Sequence, residues 1–254
     1  MNRSGGLLWH ARAWRRQGAW RGTCNHIRQW LEQTQPNSRE LVIIGASAGW
    51  MMPSPWLQGF EKVTTLDIDR WAAPLFRWRH GPALKRSGTQ LRCDTGDAIG
   101  DLPSLLAAHP DAAVLFDNVL GQLRFMHPSL DETVSCLDMI KRRMVGREWG
   151  SLHDAYSGAV RRAGRAREKM VMLQSLQVDG AVSTQPGEAD LPIEPGLTAF
   201  ASQLEAEGEW LDHLTSQVFP AGTTVQHIAW HYSRHYCHWL QAGWVSSKQR
   251  FCRK

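Results

Sequence analysis

The sequence has no long apolar run. Its longest, around Leu41 to Ile44 and Ala112 to Phe116, fall far short of the roughly 20 residues a bilayer-spanning helix requires, so no membrane partner is expected. Cysteine is sparse. Cys24, Cys93, Cys136, Cys237 and Cys252 are scattered, odd in number and without a C-x-x-C pair. That pattern argues against a disulfide framework and a zinc knuckle, and it suits a reducing cytoplasm. Acid is missing before Glu32, where Arg3, Arg12, Arg15, Arg16 and Arg21 stand. An Arg-rich transit peptide shares that bias, but the stretch lacks the apolar centre of a secretory signal. There is no internal repeat, no three-glycine G-x-G-x-x-G run and no N/D-P-P-Y/F motif of base methylation. The first of these motifs is what a nicotinamide cofactor normally asks for.

What is abundant is tryptophan, 13 residues in a chain of 254, enough for a thick aromatic core or for a pocket lined with flat rings. The length suits one α/β core with an insertion rather than two independent domains. Lysine and arginine total 29 against 24 acids. The excess gathers at the N-terminus, between Trp9, Trp14 and Trp20, and again at Arg161, Arg162, Arg165, Arg167 and Lys169. A solvated helix face is the plainer reading of such patches; phosphate or an acidic substrate is the sharper one.

Trp20, Cys24, Ile27, Trp30 and Leu31 recur at helical spacing, and Pro36 ends the pattern. Residues 1–38 are therefore read as a helical N-terminal segment or lid, and 39–254 as the main domain. Short strands follow at Glu40 to Ile44, Lys62 to Ile68, Gln90 to Cys93, Ala112 to Phe116 and Glu148 to Leu152. The first has apolar residues on both faces, as a central parallel strand requires. Ser129 with Glu132 is a capping-box signature for a helix carrying Val134, Leu137, Ile140 and Met144 inward. Ala159 to Leu176 reads as a basic helix, Val178 to Gly196 as a loop and Leu197 to Val218 as a further helix, making a helical insertion over about 156–197. Thr223 to Trp230 and Tyr236 to Val245 read as an antiparallel hairpin, since a parallel crossover needs a dozen or more residues. The expected fold is α/β and Rossmann-like: a mostly parallel seven-stranded sheet with helices on both faces and a C-terminal antiparallel hairpin.

Such sheets bind ligands at the carboxyl ends of their strands. There the run Gly45-Ala46-Ser47-Ala48-Gly49 places small residues where backbone N–H groups can approach a ligand. About 20 residues on, Asp67, followed by Ile68 and Asp69, ends the second strand, where a carboxylate can accept both ribose hydroxyls. One of the two acids also suits a helix cap. Asp97 and Ala98 follow the third strand, in a position open to the exocyclic amine of adenine or to an ordinary turn. Asp117 and Asn118 end the fourth.

This order resembles the class I S-adenosylmethionine-dependent methyltransferases over about Leu41 to Ser151. The resemblance implies that Gly45, Ala46, Ser47 and Gly49 form the cofactor turn, that Asp67 and Ile68 meet the ribose, and that Asp97 and Ala98 meet the adenine. It places Asp117 and Asn118 beside the methionine end. Two positions depart from the usual pattern, Ile43 where an acid stands and Ser47 where the middle glycine stands. The implied activity is a transferase, a methyltransferase acting on a small and optionally acidic molecule, with S-adenosylmethionine as cofactor. Aminocarboxypropyl transfer, RNA methylation and a non-catalytic binding fold are the alternatives.

A methyl acceptor that carries a proton calls for a base. His153 and Asp154, with Tyr156 nearby, are candidates beyond the fifth strand, and Asn118 and Gln122 are candidates for orienting the substrate. His227, His231 and His235 recur every four residues, but their β-branched and aromatic neighbours favour a strand, so no metal is expected. His238 and Trp239 are further candidates for a pocket wall. Nothing in the sequence sets an oligomeric state.

Overall fold

The computed structural model describes residues 6–161 and 206–247. Two helices open it, α1 (Leu7–Arg16) and α2 (Arg21–Gln33). Then come β1 (Glu40–Ile44), the one-turn α3 (Ser54–Leu57), β2 (Lys62–Asp67), α4 (Ala72–Ser87), β3 (Gln90–Thr95), α5 (Leu102–Ala108), β4 (Ala113–Asp117), α6 (Val119–Met126) and α7 (Leu130–Met144). The chain finishes with β5 (Trp149–Val160), β6 (Ala206–Asp212), β7 (Val225–Ser233) and β8 (Tyr236–Val245).

The strands form one sheet in the order β3-β2-β1-β4-β5-β8-β7, with β6 paired to β5 beside this path. β1 to β5 run parallel, and β8 runs antiparallel to both β5 and β7. Alternation along each strand sorts side chains onto two faces. Leu41, Ile43, Leu115, Leu152 and Leu240 meet Ala13, Ile27, Leu31 and Phe76 from α1, α2 and α4. Val42, Ile44, Val114, Phe116 and Trp149 meet Leu102, Leu120, Leu137 and Ile140 from α5, α6 and α7. Each large side chain so buried stabilises the fold by about 1.5–3 kcal/mol. Helix ends follow local chemistry: Ser129 Oγ accepts from Glu132 N at 3.1 Å at the start of α7, and Gly88 at φ 79° closes α4 in the left-handed conformation.

The structure corrects three expectations. Among the described residues the sheet has eight strands rather than seven. β5 continues from Trp149 through Val160, so His153, Asp154 and Tyr156 lie inside the strand and not beyond it, and Tyr156 to Val160 do not belong to an insertion. The cause is a double partnership, with β8 on one side from Trp149 to Ala159 and β6 on the other from Tyr156 to Val160. Of the helix expected over Leu197 to Val218, the described part contains the strand β6. Gly208 there adopts φ 65°, which a helix does not accept, and Trp210 lays its ring against Gly158 of β5. Residues 162–205, with the rest of the expected insertion and most of the second basic cluster, lie outside the described residues.

Candidate functional site

The parallel strands β1 to β4 end on one edge of the sheet, and β5 runs on past it. After β1 the chain turns at Gly45 with φ 77°, and Gly45 N donates to Leu66 O at 2.9 Å. A Cβ at Gly45 would stand 2.8 Å from Val119 Cβ and 2.9 Å from Asp117 O, so the ends of β1 and β4 close on each other only because that position has no side chain. Ser47 also takes a positive φ, 49°. Its N–H donates to Asp67 Oδ2 at 2.7 Å, while Asp69 N donates to Asp67 Oδ1 at 2.7 Å. One carboxylate thus sets the shape of two loops, and each of its oxygens keeps a second acceptor direction.

The far end of the turn is braced from α4. His80 Nε2 donates to Gly49 O at 3.2 Å and Nδ1 accepts from Ser54 Oγ at 2.8 Å; the roles follow because a carbonyl only accepts. Burial, and then the neighbouring Arg79 charge, push the His80 pKa down to about 4, so the brace is neutral. Arg79 donates to Gly49 O at 3.3 Å and Trp50 O at 3.2 Å, and its guanidinium lies 5.2 Å from the Trp50 ring centroid.

Asp117 differs from its neighbours. Its carboxyl is partly buried and makes no hydrogen bond among the described residues. Burial, with the Asp67 charge added, pushes its pKa up to about 7. Asp67 is also raised, by burial ahead of all else. Ile68 stands 67% exposed immediately after Asp67, an apolar surface at the strand end. Ala98 is buried, whereas Asp97 is exposed and its Oδ1 accepts from Ile99 N at 3.1 Å and Gly100 N at 2.9 Å. That is the turn role, and it leaves Oδ2 unengaged by those bonds.

Asn118 caps α6 at φ 55° and spans to β5. Its Nδ2 donates to Asp154 Oδ2 at 3.3 Å, and its Oδ1 accepts from Asp154 N at 3.0 Å. Asn118 and Asp154 are therefore brought together. His153 is not brought to them: its side chain is wholly buried on the α5–α7 face, bonded to Ser151 Oγ at 2.8 Å and stacked on Phe219 at 5.4 Å. Burial lowers its pKa to about 4. Tyr156 packs in a separate cluster with Ala155, Val160, Cys237 and Trp239. Strand alternation along β5 explains why neighbouring residues part in this way.

Several site residues were not legible in the sequence. Helix α1 lies over the glycine turn, where Trp9 Nε1 donates to Ser47 Oγ at 3.4 Å. Gly6 N at 2.5 Å and His10 Nε2 at 3.1 Å both donate to Asp69 Oδ2. The Trp9 ring stacks on Tyr232 of β7 at 6.3 Å, and Tyr232 lies 5.4 Å from His238 of β8. His238 Nδ1 is 3.0 Å from Asp154 Oδ1. Ser47, Trp9, Tyr232, His238, Asp154, Asn118 and Asp117 thus follow one another around the strand ends. The advance signal was the final strand's place, which offered His238 and Trp239 for a candidate pocket wall.

No family model matches the sequence, and no curated protein does. Among solved structures, a putative zinc-dependent alcohol dehydrogenase from Rhodobacter sphaeroides is 21% identical over 53% of this chain and 46% of its own, at a TM-score of 0.35. A Haloferax volcanii complex of the Trm112 methyltransferase activator with a putative methyltransferase gives 18% identity, 57% of each chain and 0.35. This chain spans about half the length of these two. Magnesium protoporphyrin IX methyltransferase from Synechocystis PCC 6803, solved with SAH bound, is 14% identical over 87% of this chain and 81% of its own, at 0.40. Likeness this slight carries no argument about function, which rests on the residues at the strand ends.

Proposed function

We propose that this chain is an S-adenosylmethionine-dependent methyltransferase acting on a small molecule. The observation that carries the reading is the unpaired carboxyl of Asp117, set where the glycine turn and β4 close on each other. A partly buried acid with no partner is costly unless a cation meets it, and the cofactor's amino-acid ammonium supplies one. The remaining groups suit the rest of that molecule. Asp67 keeps acceptor directions for two ribose hydroxyls, Ile68 offers an apolar face to the adenine, and Asp97 Oδ2 can accept its amine. When bound, the cofactor supplies a methyl group on a positively charged sulfur that leaves as a neutral thioether.

The work left to the protein is positioning. Ser47 and Asp67 fix the turn, Asn118 holds β4 to β5, and α1 closes over the turn through Trp9 and Asp69 as a lid. The Trp9 and Tyr232 rings form a flat wall for the acceptor, with Arg12 Nη1 donating to Tyr232 Oη at 2.7 Å on the outer side.

Calorimetry with S-adenosylmethionine tests the reading. Saturable binding is expected, weakened about tenfold or more in Asp117→Asn, where the cation loses its counter-charge. Absence of binding heat with an intact circular dichroism spectrum overturns it. Release of S-adenosylhomocysteine by the turning-over enzyme, and not of methylthioadenosine, identifies methyl transfer against aminocarboxypropyl transfer.

A further inference from the structure

Asp154 is only 4% exposed, yet it is charged: burial works against its ionisation, and the surrounding His238, His213 and Asn118 outweigh that and hold its pKa low. A β-bulge aims it. The β5–β8 register shifts between Asp154 and Tyr156, and a bulge re-aims the side chains around it. Gly121 of α6 packs directly on the spot, where a Cβ would lie 2.9 Å from Asp154 Cβ. Every other polar atom of Asp154 is fixed: Oδ2 by Asn118 at 3.3 Å, N by Asn118 at 3.0 Å and O by Thr215 Oγ1 at 2.7 Å. Oδ1 lies 3.0 Å from His238 Nδ1 as an ion-pair contact, and neither atom makes a hydrogen bond among the described residues.

That contact favours one tautomer of the imidazole, because two facing lone pairs at 3.0 Å repel. A carboxylate can only accept, so Nδ1 carries the proton toward Asp154 and Nε2 presents its lone pair. Nε2 makes no hydrogen bond among the described residues, and the side chain keeps 16% exposure between the rings of Trp230, Tyr232 and Tyr236, at 4.8, 5.4 and 5.3 Å. The cluster also invites a cation, because Asp154, His213 and His238 offer ligand atoms within 4.8 Å of one another. His213 argues against that use. Its Nδ1 must donate to Gly121 O at 2.7 Å, and its Nε2 is taken by Ser157 Oγ at 2.9 Å.

We propose that His238 is the general base of the cleft and Asp154 its positioning residue, so that the methyl acceptor is a hydroxyl or an amine that must shed a proton. This rests on the methyltransferase reading above. The proton passes from the acceptor's O–H or N–H to Nε2, while the acceptor's electron pair makes the new bond to carbon. Sulfur keeps the pair of the bond that breaks, and the positive charge it loses is then carried by the imidazolium beside Asp154.

The test needs no substrate. Diethyl pyrocarbonate is applied to the whole protein across about pH 6 to 8, where imidazoles change charge, and carbethoxylated histidines are located by mass spectrometry. His238 is expected to react, with a rate that rises as the ring loses its proton, and Asp154→Asn is expected to move that profile to lower pH. The ionisable neighbours that shape the profile are Asp154, His213, Tyr232, Tyr236 and, through Tyr232, Arg12. An unmodified His238 beside a labelled, exposed His235 overturns the proposal, as does a profile that Asp154→Asn leaves in place. Long-range 1H–15N spectra of the wild-type protein read the tautomer without any variant; protonation at Nδ1 is expected, and protonation at Nε2 overturns it. S-adenosylhomocysteine should bind His238→Asn as tightly as wild type. A wild type that binds none while His238 reacts as described sinks the methyltransferase reading and leaves the His238–Asp154 pair standing.

Discussion

His10 donates through Nε2 to Asp69 Oδ2 across 3.1 Å as a neutral ring, because its Nδ1 already accepts from Trp50 Nε1 at 3.1 Å and an indole N–H can only donate. The latch between α1 and the loop after β2 is therefore a relay of three side chains, Trp50, His10 and Asp69. His10→Ala strands the buried indole N–H and removes one donor from Asp69. Urea denaturation should register a loss of about 1–3 kcal/mol, the usual cost of an unsatisfied buried donor. An unchanged midpoint would mean that α1 is held without the relay.

Gly45→Ala should be among the most damaging single-methyl changes in this chain. The new Cβ would press on Val119 and on the Asp117 carbonyl, and φ 77° is strained for any other residue. A loss of about 1–3 kcal/mol is expected in urea, together with weaker S-adenosylmethionine binding, since the turn and β4 must part. Gly88→Ala serves as the control: it shares a positive φ but meets nothing within 4 Å, so strain acts there without the clash.

Asp117→Asn should stabilise the protein while weakening the cofactor. Its pKa is raised from 3.8 to about 7, so its contribution to stability is lost as pH rises through the folded value. The amide removes that penalty. At about pH 8 the variant should gain on the order of 1–4 kcal/mol, at 1.36 kcal/mol per unit, and the gain should vanish near pH 4. Equal urea midpoints for variant and wild type at both pH values would contradict this.

Acid should loosen the fold well before the ordinary carboxylates protonate. His80, His153 and His227 are pushed by burial from 6.5 to about 4, with the Arg79 charge adding to the effect at His80. Between those values the unfolded chain binds more protons, so stability falls as pH drops from about 6.5 to about 4. Each ring contributes at most about 3 kcal/mol. His153→Gln should flatten the slope by roughly a third if the three contribute alike, as read from urea midpoints across that range. A slope unchanged in the variant would show that His153 titrates normally.

The sheet was largely legible because its signals are local. Glu40 to Ile44 and Tyr236 to Val245 end where composition ends them, and Ser129 caps α7 through its own hydroxyl. Asp67 and Asp117 were legible as acids at strand ends, because the β-branched and apolar runs of β2 and β4 stop there. β5 was not, since His153 and Asp154 look like loop residues until β8 is known to pair with them and Asn118 and Thr215 to meet the Asp154 backbone. β6 was hidden by Glu207 and Glu209, which face solvent on a strand whose pairing partner lies 46 or more residues upstream in sequence. The α1 latch and the His238–Asp154 contact join residues 59 and 84 positions apart, and no spacing rule reaches so far.

Trp9, Trp20 and Trp230 gather around Tyr232, with Trp9 also reaching Ser47 in the glycine turn. An indole whose surroundings change when a ligand arrives changes its emission, so these rings serve as an intrinsic optical reporter of the proposed site. Trp9→Phe gives the matching blank, and the difference between the two emission spectra follows the first helix in real time without a label.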